Sequence, residues 1–386
     1  MSETTQNAYR DDFCVHHNSM AKTLRYIKEM EENDRWVTVP SRSIEFSALP
    51  TDLTKVDEML AAFFFSEDDR DIVVDTMKNV GLVAMIDGAF YCIRDCALKT
   101  IFERAKINGT ALSRLTRESL AEVLNRCMLV SRGDALVYLS HGKISAMHGG
   151  DSSDYCVLPI SELYETLEAE LSSRFPDNYF GSGYSDHCFS TAIWSFPEQT
   201  EALLGAYDKE LFVHGLSGST LIPGIRFTTS NTAMSGANIY PYITDTTRRA
   251  AIRLGSAVKV PHKYSAEIST FQKEVEMLYP KFVNTAKVLN KLLNVNLFYP
   301  LNAMAEVMKN IKIPKKIAFE TLEAFQVRHG DGPSTAHEAF WGISEAIFFM
   351  RADGASESKI AETEDKIARA LHLNWTDYDI GGVMAA

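Results

Sequence analysis

The chain has 386 residues, 46% of them hydrophobic and 23% charged, with a formal net charge of -12. That length and composition suit one large folded domain or two ordinary ones and exclude a disordered or fibrous chain. The longest apolar run, Met59 to Phe65, falls far short of the roughly 20 residues of a membrane helix, so no membrane partner is expected.

Met1 to Asp12 is polar and acidic rather than basic and then apolar, which makes a cytoplasmic location the default expectation. Helical spacing begins at Ser19 to Glu32 through Met20, Leu24, Ile27 and Met30, and a strand from Trp36 to Val39 stops at Pro40. Lys55 to Phe65 suits a helix, and the acidic Glu67 to Asp71 opens the next element or its loop. Phe90 to Ile107 reads as one helix closed by Asn108-Gly109, with Cys92 and Cys96 on a shared face. Thr116 caps a further helix running to Val130.

From Ala135 to about Val260 the pattern turns to short β-branched and aromatic segments punctuated by Gly, Ser and Asn, with one helix from Ile160 to Phe175. Strands are expected at Ala135–Ser140, Lys143–His148, Cys188–Phe196, Ile225–Ser230, Ala237–Ile243 and Ala250–Val260. Beyond Ser265 the chain is almost wholly helical, with an interruption at Pro280 and helices at Leu301–Asn310, Lys315–Arg328 and Ser334–Arg351. Ser356 to Lys359 precedes a last helix that reaches Leu371. The expected fold class is α+β, a central antiparallel sheet with flanking helices and a helical C-terminal region. Its parts are an acidic helical region at 1–75, the sheet-bearing core at 76–265, and a helical region at 266–386 packed on that core.

The overall charge hides a segregation. Thr246 to Gly330 holds fourteen Lys/Arg against six Asp/Glu, a net of +8, between flanks of -8 over the first 75 residues and -6 over the last 56. A basic surface attracts polyanions whatever the whole-molecule pI. Its densest part carries Arg248, Arg249, Arg253, Lys259 and Lys263 without an acid, beside Tyr240, Tyr242 and Tyr264. On a strand pair those cations would track the phosphates of single-stranded nucleic acid while the tyrosines stack on bases. The same charges would equally serve as a solvated sheet edge. Lys309, Lys312, Lys315 and Lys316 span a helix end and the Pro314 turn, where lysine complements a helix C-terminus.

No motif for catalysis, metal or cofactor competes with that segment. HGLSGSTLIPG, from His214, lacks the Lys-Ser/Thr ending of a phosphate-binding loop and does not lead into a helix. The ten histidines, including His16, His17, His141, His148 and His187, show no ligand spacing, and Asp186-His187 has no G-x-S-x-G elbow beside it. Six dispersed cysteines in a chain without a leader read as free thiols. A nucleic-acid enzyme would need paired carboxylates near the basic strand, and Asp245 alone supplies none. No enzyme activity and no cofactor is expected.

The segments YCIRDCALKTIFERAKI, LSRLTRESLAEVLN, LVYLSHGKISAMHGG, DYCVLPISELYETLE, PGIRFTTSNTAMSGANIYPYI and STAHEAFWGISEAIFFM, in this order from about Phe90 to Leu371, are similar to a phage- and plasmid-associated family whose core is a domain of unknown function. Where that family commonly has Cys-Thr-Asn-Gly after the basic strand, this chain has Ile252, Arg253, Leu254 and Gly255. The resemblance implies a mobile-element protein acting in the host cytoplasm, distantly related to single-strand annealing recombinases, whose rings bind DNA in a basic groove between a sheet and a helix. The expectation is a non-enzymatic homo-oligomer that binds single-stranded DNA and promotes annealing. The alternative is a structural protein whose basic segment docks on acidic regions of another subunit.

Overall fold

The computed structural model describes residues 7–151, 154–216, 220–247, 250–255, 257–263 and 266–382. Its first part contains β1 (Cys14–His17), α1 (Met20–Asn33), β2 (Asp34–Pro40), β3 (Glu45–Ala48), α2 (Val56–Ala62), α3 (Arg70–Lys78), β4 (Leu82–Ile86), β5 (Ala89–Ile93), α4 (Ala97–Arg104), α5 (Arg117–Val130), β6 (Asp134–Ser140) and β7 (Lys143–Gly149). Six of these strands form a mixed sheet in the order β2-β6-β7-β5-β4-β3, antiparallel except where β5 runs alongside β7. Alternation along β4 sends Leu82, Ala84 and Ile86 toward α4 and α5, where they meet Ile101, Leu124 and Met128. Val83 faces the other way, onto Val73 and Met77 of α3. A strand buried on both faces therefore reads as a nearly unbroken apolar run.

The single helix expected over Phe90–Ile107 is corrected here. Residues 89–93 are a strand, hairpinned to β4 through Asp87 and Gly88, both at positive φ. A two-residue Asp-Gly turn with that backbone matches the twist of paired strands. Cys92 is consequently buried under α3, while Cys96 sits at the N-cap of α4, so the two share no helix face.

The second part comprises α6 (Ile160–Arg174), β8 (Tyr179–Asp186), β9 (Ser190–Ser195), α7 (Thr200–Val213), β10 (Leu221–Thr229), β11 (Ala237–Asp245), β12 (Ala250–Arg253) and β13 (Val258–Val260). With β1 at its edge it makes a seven-stranded antiparallel sheet, β1-β8-β9-β10-β11-β12, in which β13 also pairs with β11. The one strand expected over Ala250–Val260 is thus two. Pro241 of β11 lies between their pairings, and Leu254 N–H donates to its carbonyl on that side. Proline has no N–H to complete the ladder there.

The acidic first 75 residues, expected as a helical region, feed both sheets: β1 joins the second, and β2 and β3 the first. A strap ahead of β1 is fixed by two buried cations. Arg94 donates to the carbonyls of Ala8, Tyr9 and Arg10, and Lys143 pairs with Asp11 at 2.8 Å and with Asp75.

The remaining helices are α8 (Ile268–Glu276), α9 (Leu278–Leu293), α10 (Pro300–Asn310), α11 (Lys315–His329), α12 (Ala336–Ser344), α13 (Ala346–Ala352) and α14 (Glu357–Ala370). The break between α8 and α9 places Pro280 in the first turn of the new helix, where its missing N–H costs least. One face of the second sheet, with Trp194, Ile225, Phe227, Ile239, Ile243, Ile252 and Val258, belongs to a single large core shared with α6, α7, α9 and α12. None of the described helices is long and apolar enough to cross a membrane.

Candidate functional site

Strand alternation makes the other face of the second sheet polar. In register, Asn238 lies opposite Thr228 and Lys259, Tyr240 opposite Arg226, and Tyr242 opposite Arg253. Successive side chains of a strand point to opposite faces, so these share one surface. Helix α14 lies across it. Its buried side is Ile360, Thr363, Glu364 and Ile367, a stripe at helical spacing with one carboxylate in an otherwise apolar row.

Glu364 meets both arginines. Arg226 Nη1 donates to Oε1 at 2.7 Å and to Oε2 at 2.6 Å, and Arg253 Nη2 donates to Oε2 at 3.3 Å. Arg226 Nη2 also donates to Glu357 at 2.9 Å. Burial pushes the Glu364 carboxyl up, but Arg226, Arg253 and Arg351 outweigh it and hold the group below its usual range. Burial opposes the charge on Arg226 in turn, and Glu364, Tyr242 and Glu357 restore it.

The sequence assigns phosphate to Arg253 and bases to Tyr240 and Tyr242, and α14 alters those roles. Arg253 is 3% exposed and Tyr240 and Tyr242 are buried. The Arg253 guanidinium stacks over the Tyr240 ring with its central carbon 3.5 Å from the centroid, so that face cannot receive a base. Arg248, Arg249 and Tyr264 lie outside the described residues. Lys259 and Lys263 are exposed. Lys309 and Lys316 are engaged with Glu306 and Asp353.

Beside the α14 contact a groove of about 790 Å³ stays open between β11–β13, the loop 231–236 and the first turns of α14. Lys259 enters from β13, Lys359 from α14 and Lys99 from α4. Arg253 forms part of the floor. Its Nε and Nη1 make no hydrogen bond among the described residues, although Nη1 is 3.6 Å from Asp365. Lys99 Nζ donates to the carbonyl of Ala233 at 3.1 Å, and Lys359 pairs with Glu362 at 2.9 Å. Among the described residues no ion pair engages Lys99 or Lys259. Met234, 47% exposed, gives the groove an apolar lip.

The groove's acids are committed. Glu362 is bonded to Lys366 and Lys359, which hold its carboxyl low, and Asp365 pairs with Arg369 at 2.5 Å. No group of three metal-ligating side chains occurs among the described residues, and all six cysteines are free. The arrangement can bind an anion along a track.

Sequence reasoning missed Lys99, Lys359, Glu364 and Asp365, which come from segments far from the basic stretch. One signal was present: Glu364 occupies a core position in the stripe Ile360, Glu364, Ile367, and a carboxylate there requires a buried cation. In comparisons with known proteins the chain matches no family model, no curated protein and no solved structure.

Proposed function

We propose that this protein binds single-stranded DNA along the groove between the second sheet and α14, and that it acts as a non-enzymatic, oligomeric annealing protein of a phage or related element. One observation carries the binding: Lys99, Lys259 and Lys359 converge on a single groove from three distant parts of the chain. Three elements that each deliver a lysine to one track suit a charged backbone, since a strand lying there contacts phosphate on both walls. Met234 offers a base an apolar surface in place of the covered tyrosines. The annealing role and the mobile-element origin rest on the sequence resemblance described above.

Fluorescence polarisation of an end-labelled oligothymidylate across a salt series tests the reading. Three phosphate contacts give a log–log salt slope of about -2 for a single strand. The double variant Lys99→Glu, Lys259→Glu should lose binding while keeping its fold. No binding by the folded wild type, or binding untouched by salt, would overturn the proposal.

A second reading is favoured by the exposed carboxylates of Asp57, Glu58, Glu67 and Asp68 around α2 and α3. There the basic segment docks on this acidic region of another copy. The same double variant would then lower the assembly mass of a protein that binds no DNA.

A further inference from the structure

Two cysteines from different parts of the chain meet where the sheets adjoin. Cys96 follows β5 and stands at the N-cap of α4, and its Sγ donates to the Ser145 carbonyl of β7 at 3.4 Å. Cys188 lies in the turn between β8 and β9 of the second sheet. Ser145 and Cys188 line one cavity of about 50 Å³, and the thiols of Cys96 and Cys188 hydrogen-bond each other. Both cysteines are half-buried. The cavity has room for a molecule the size of hydrogen peroxide, a little larger than the water that needs about 10–15 Å³.

A disulfide requires two sulfurs that face each other at close range. Here both backbones are anchored. The Cys188 N–H donates to Asp186 Oδ1 at 2.7 Å, and its carbonyl accepts from Ser230 Oγ at 2.5 Å and from Thr232 Oγ1 at 3.0 Å. One turn beyond Cys96, Thr100 Oγ1 ties α4 to β7 by accepting from the Met147 N–H at 2.8 Å. The two sulfurs differ in reactivity. The Cys188 thiol is pushed up, first by its hydrogen bond with Cys96 and then by burial, while Arg94 pulls it down. Cys188 therefore keeps its proton, and Cys96 supplies the first nucleophile, since the thiolate is the form that attacks. Oxidation of Cys96 removes the thiol that holds Cys188 up and leaves Arg94 to favour ionisation of Cys188.

We propose that Cys96 and Cys188 form an oxidant-responsive pair that closes, with a hydroperoxide as oxidant, into a disulfide joining the two sheets. The Cys96 sulfur attacks one oxygen of hydrogen peroxide and the O–O bond breaks. This gives a sulfenic acid on Cys96 and a hydroxide, which takes the Cys96 proton and leaves as water. The Cys188 sulfur then attacks the Cys96 sulfur, the S–O bond breaks, and the departing hydroxide leaves with the Cys188 proton as a second water. Two thiols and one peroxide give one disulfide and two waters, and a dithiol reductant reverses the change. The bond clamps the β8–β9 turn to the start of α4, whatever the groove binds. A disulfide of this kind suits a reducing compartment, where such bonds are transient and redox-sensing.

The test treats the folded, reduced full chain with a small excess of hydrogen peroxide, alkylates it and maps its peptides without reduction. The Cys96 and Cys188 peptides should be linked, with two fewer alkylatable thiols than the six of the reduced chain. Closing so long a loop should raise the thermal midpoint by roughly 5 °C, and dithiothreitol should reverse the rise. In Cys188→Ser, peroxide should leave a sulfenic acid on Cys96 that a 1,3-dione captures, with no rise in the midpoint. Cys14→Ser should behave as wild type. No linked peptide from the folded wild type, a link that forms only in urea, or a sulfenic acid that persists on Cys96 while Cys188 is present would overturn the pair. A link that leaves the midpoint unchanged would overturn the clamp.

Discussion

Arg253 lies flat over Tyr240, its guanidinium carbon 3.5 Å from the ring centroid. The most promising cation of the basic strand is thereby tied to the sheet it grows from. Glu364 holds its far edge from α14. The buried network sets the position of the helix, and the helix forms one wall of the groove.

Removing Glu364 should accordingly be among the most destabilising changes in the chain. Glu364→Ala leaves Arg226 and Arg253 buried against each other, and breaking a buried pair by deleting one partner costs about 3–5 kcal/mol. Asp365→Asn, at a partly exposed position 3.6 Å from Arg253, should cost under about 1 kcal/mol. Denaturant midpoints of the two variants against wild type check the difference.

Arg253→Ala and Lys259→Ala should part in kind. Lys259 is exposed, so its loss should leave the unfolding midpoint in place and make the salt slope of DNA binding shallower by about 0.7. Arg253→Ala should lower stability first, because it deletes a partner of Glu364 and the cation over Tyr240. Unfolding and salt titrations on the same two preparations separate the effects.

Acid should unfold the protein from neutral imidazoles inward. Burial pushes His148 and His262 down to about 4. Between that value and the unfolded value near 6.5 the unfolded chain binds protons that the native state refuses, so this contribution is complete above pH 6.5 and is lost as pH falls toward 4. Asp34 works in the opposite sense: burial lifts it to about 6, so its share is greatest in acid and lost as pH rises through 6. Burial lowers His17, His141 and His187 in the same sense and raises Asp95 and Asp186 with Asp34, and with five histidines against three carboxyls a net loss of stability is expected between pH 6.5 and 4.5. Urea midpoints measured over that window should fall steadily. A flat profile in wild type, or one left unchanged by His148→Gln with His262→Gln, would contradict the burial of those two imidazoles.

The strap ahead of β1 should matter more than a terminal segment usually does. Asp11→Ala takes a carboxylate from Lys143, which is fully buried and retains only Asp75. A loss of about 2–4 kcal/mol is expected. Lys143→Met together with Asp11→Leu should not recover it, since Asp75 then keeps a largely buried carboxylate without its lysine. Thermal melts of the single and double variants decide this.

How much of this was legible beforehand can be argued from single elements. β-Branched and aromatic content in Ile225–Ser230 and Ala237–Ile243 gave those strands, and capping at Thr116 gave a helix start where the side chain does accept from Ser119 N–H; the last helix, expected after Lys359, starts at Glu357 with Ser356 as its cap. Strand β5 was missed because five apolar residues followed by a helix carry no period of their own, though the Asp87-Gly88 turn before them was a usable signal. Strand β8, YFGSGYSD, was missed because its glycines and serines read as loop, and pairing with β9 and β1 is what makes it a strand.

The sequence alone determined the α+β class, the two-faced character of β10 and β11, and the charge surplus after Thr246. A period of two separates the residues of a strand into two faces without saying what covers either, because coverage is set by elements distant in the chain. Only the tertiary structure decided that α14 lies on the polar face, that Glu364 takes Arg226 and Arg253, and that Lys99 and Lys359 join Lys259 around one groove. Two buried cations on one face require a buried anion, and the fold supplied it from a helix more than a hundred residues away.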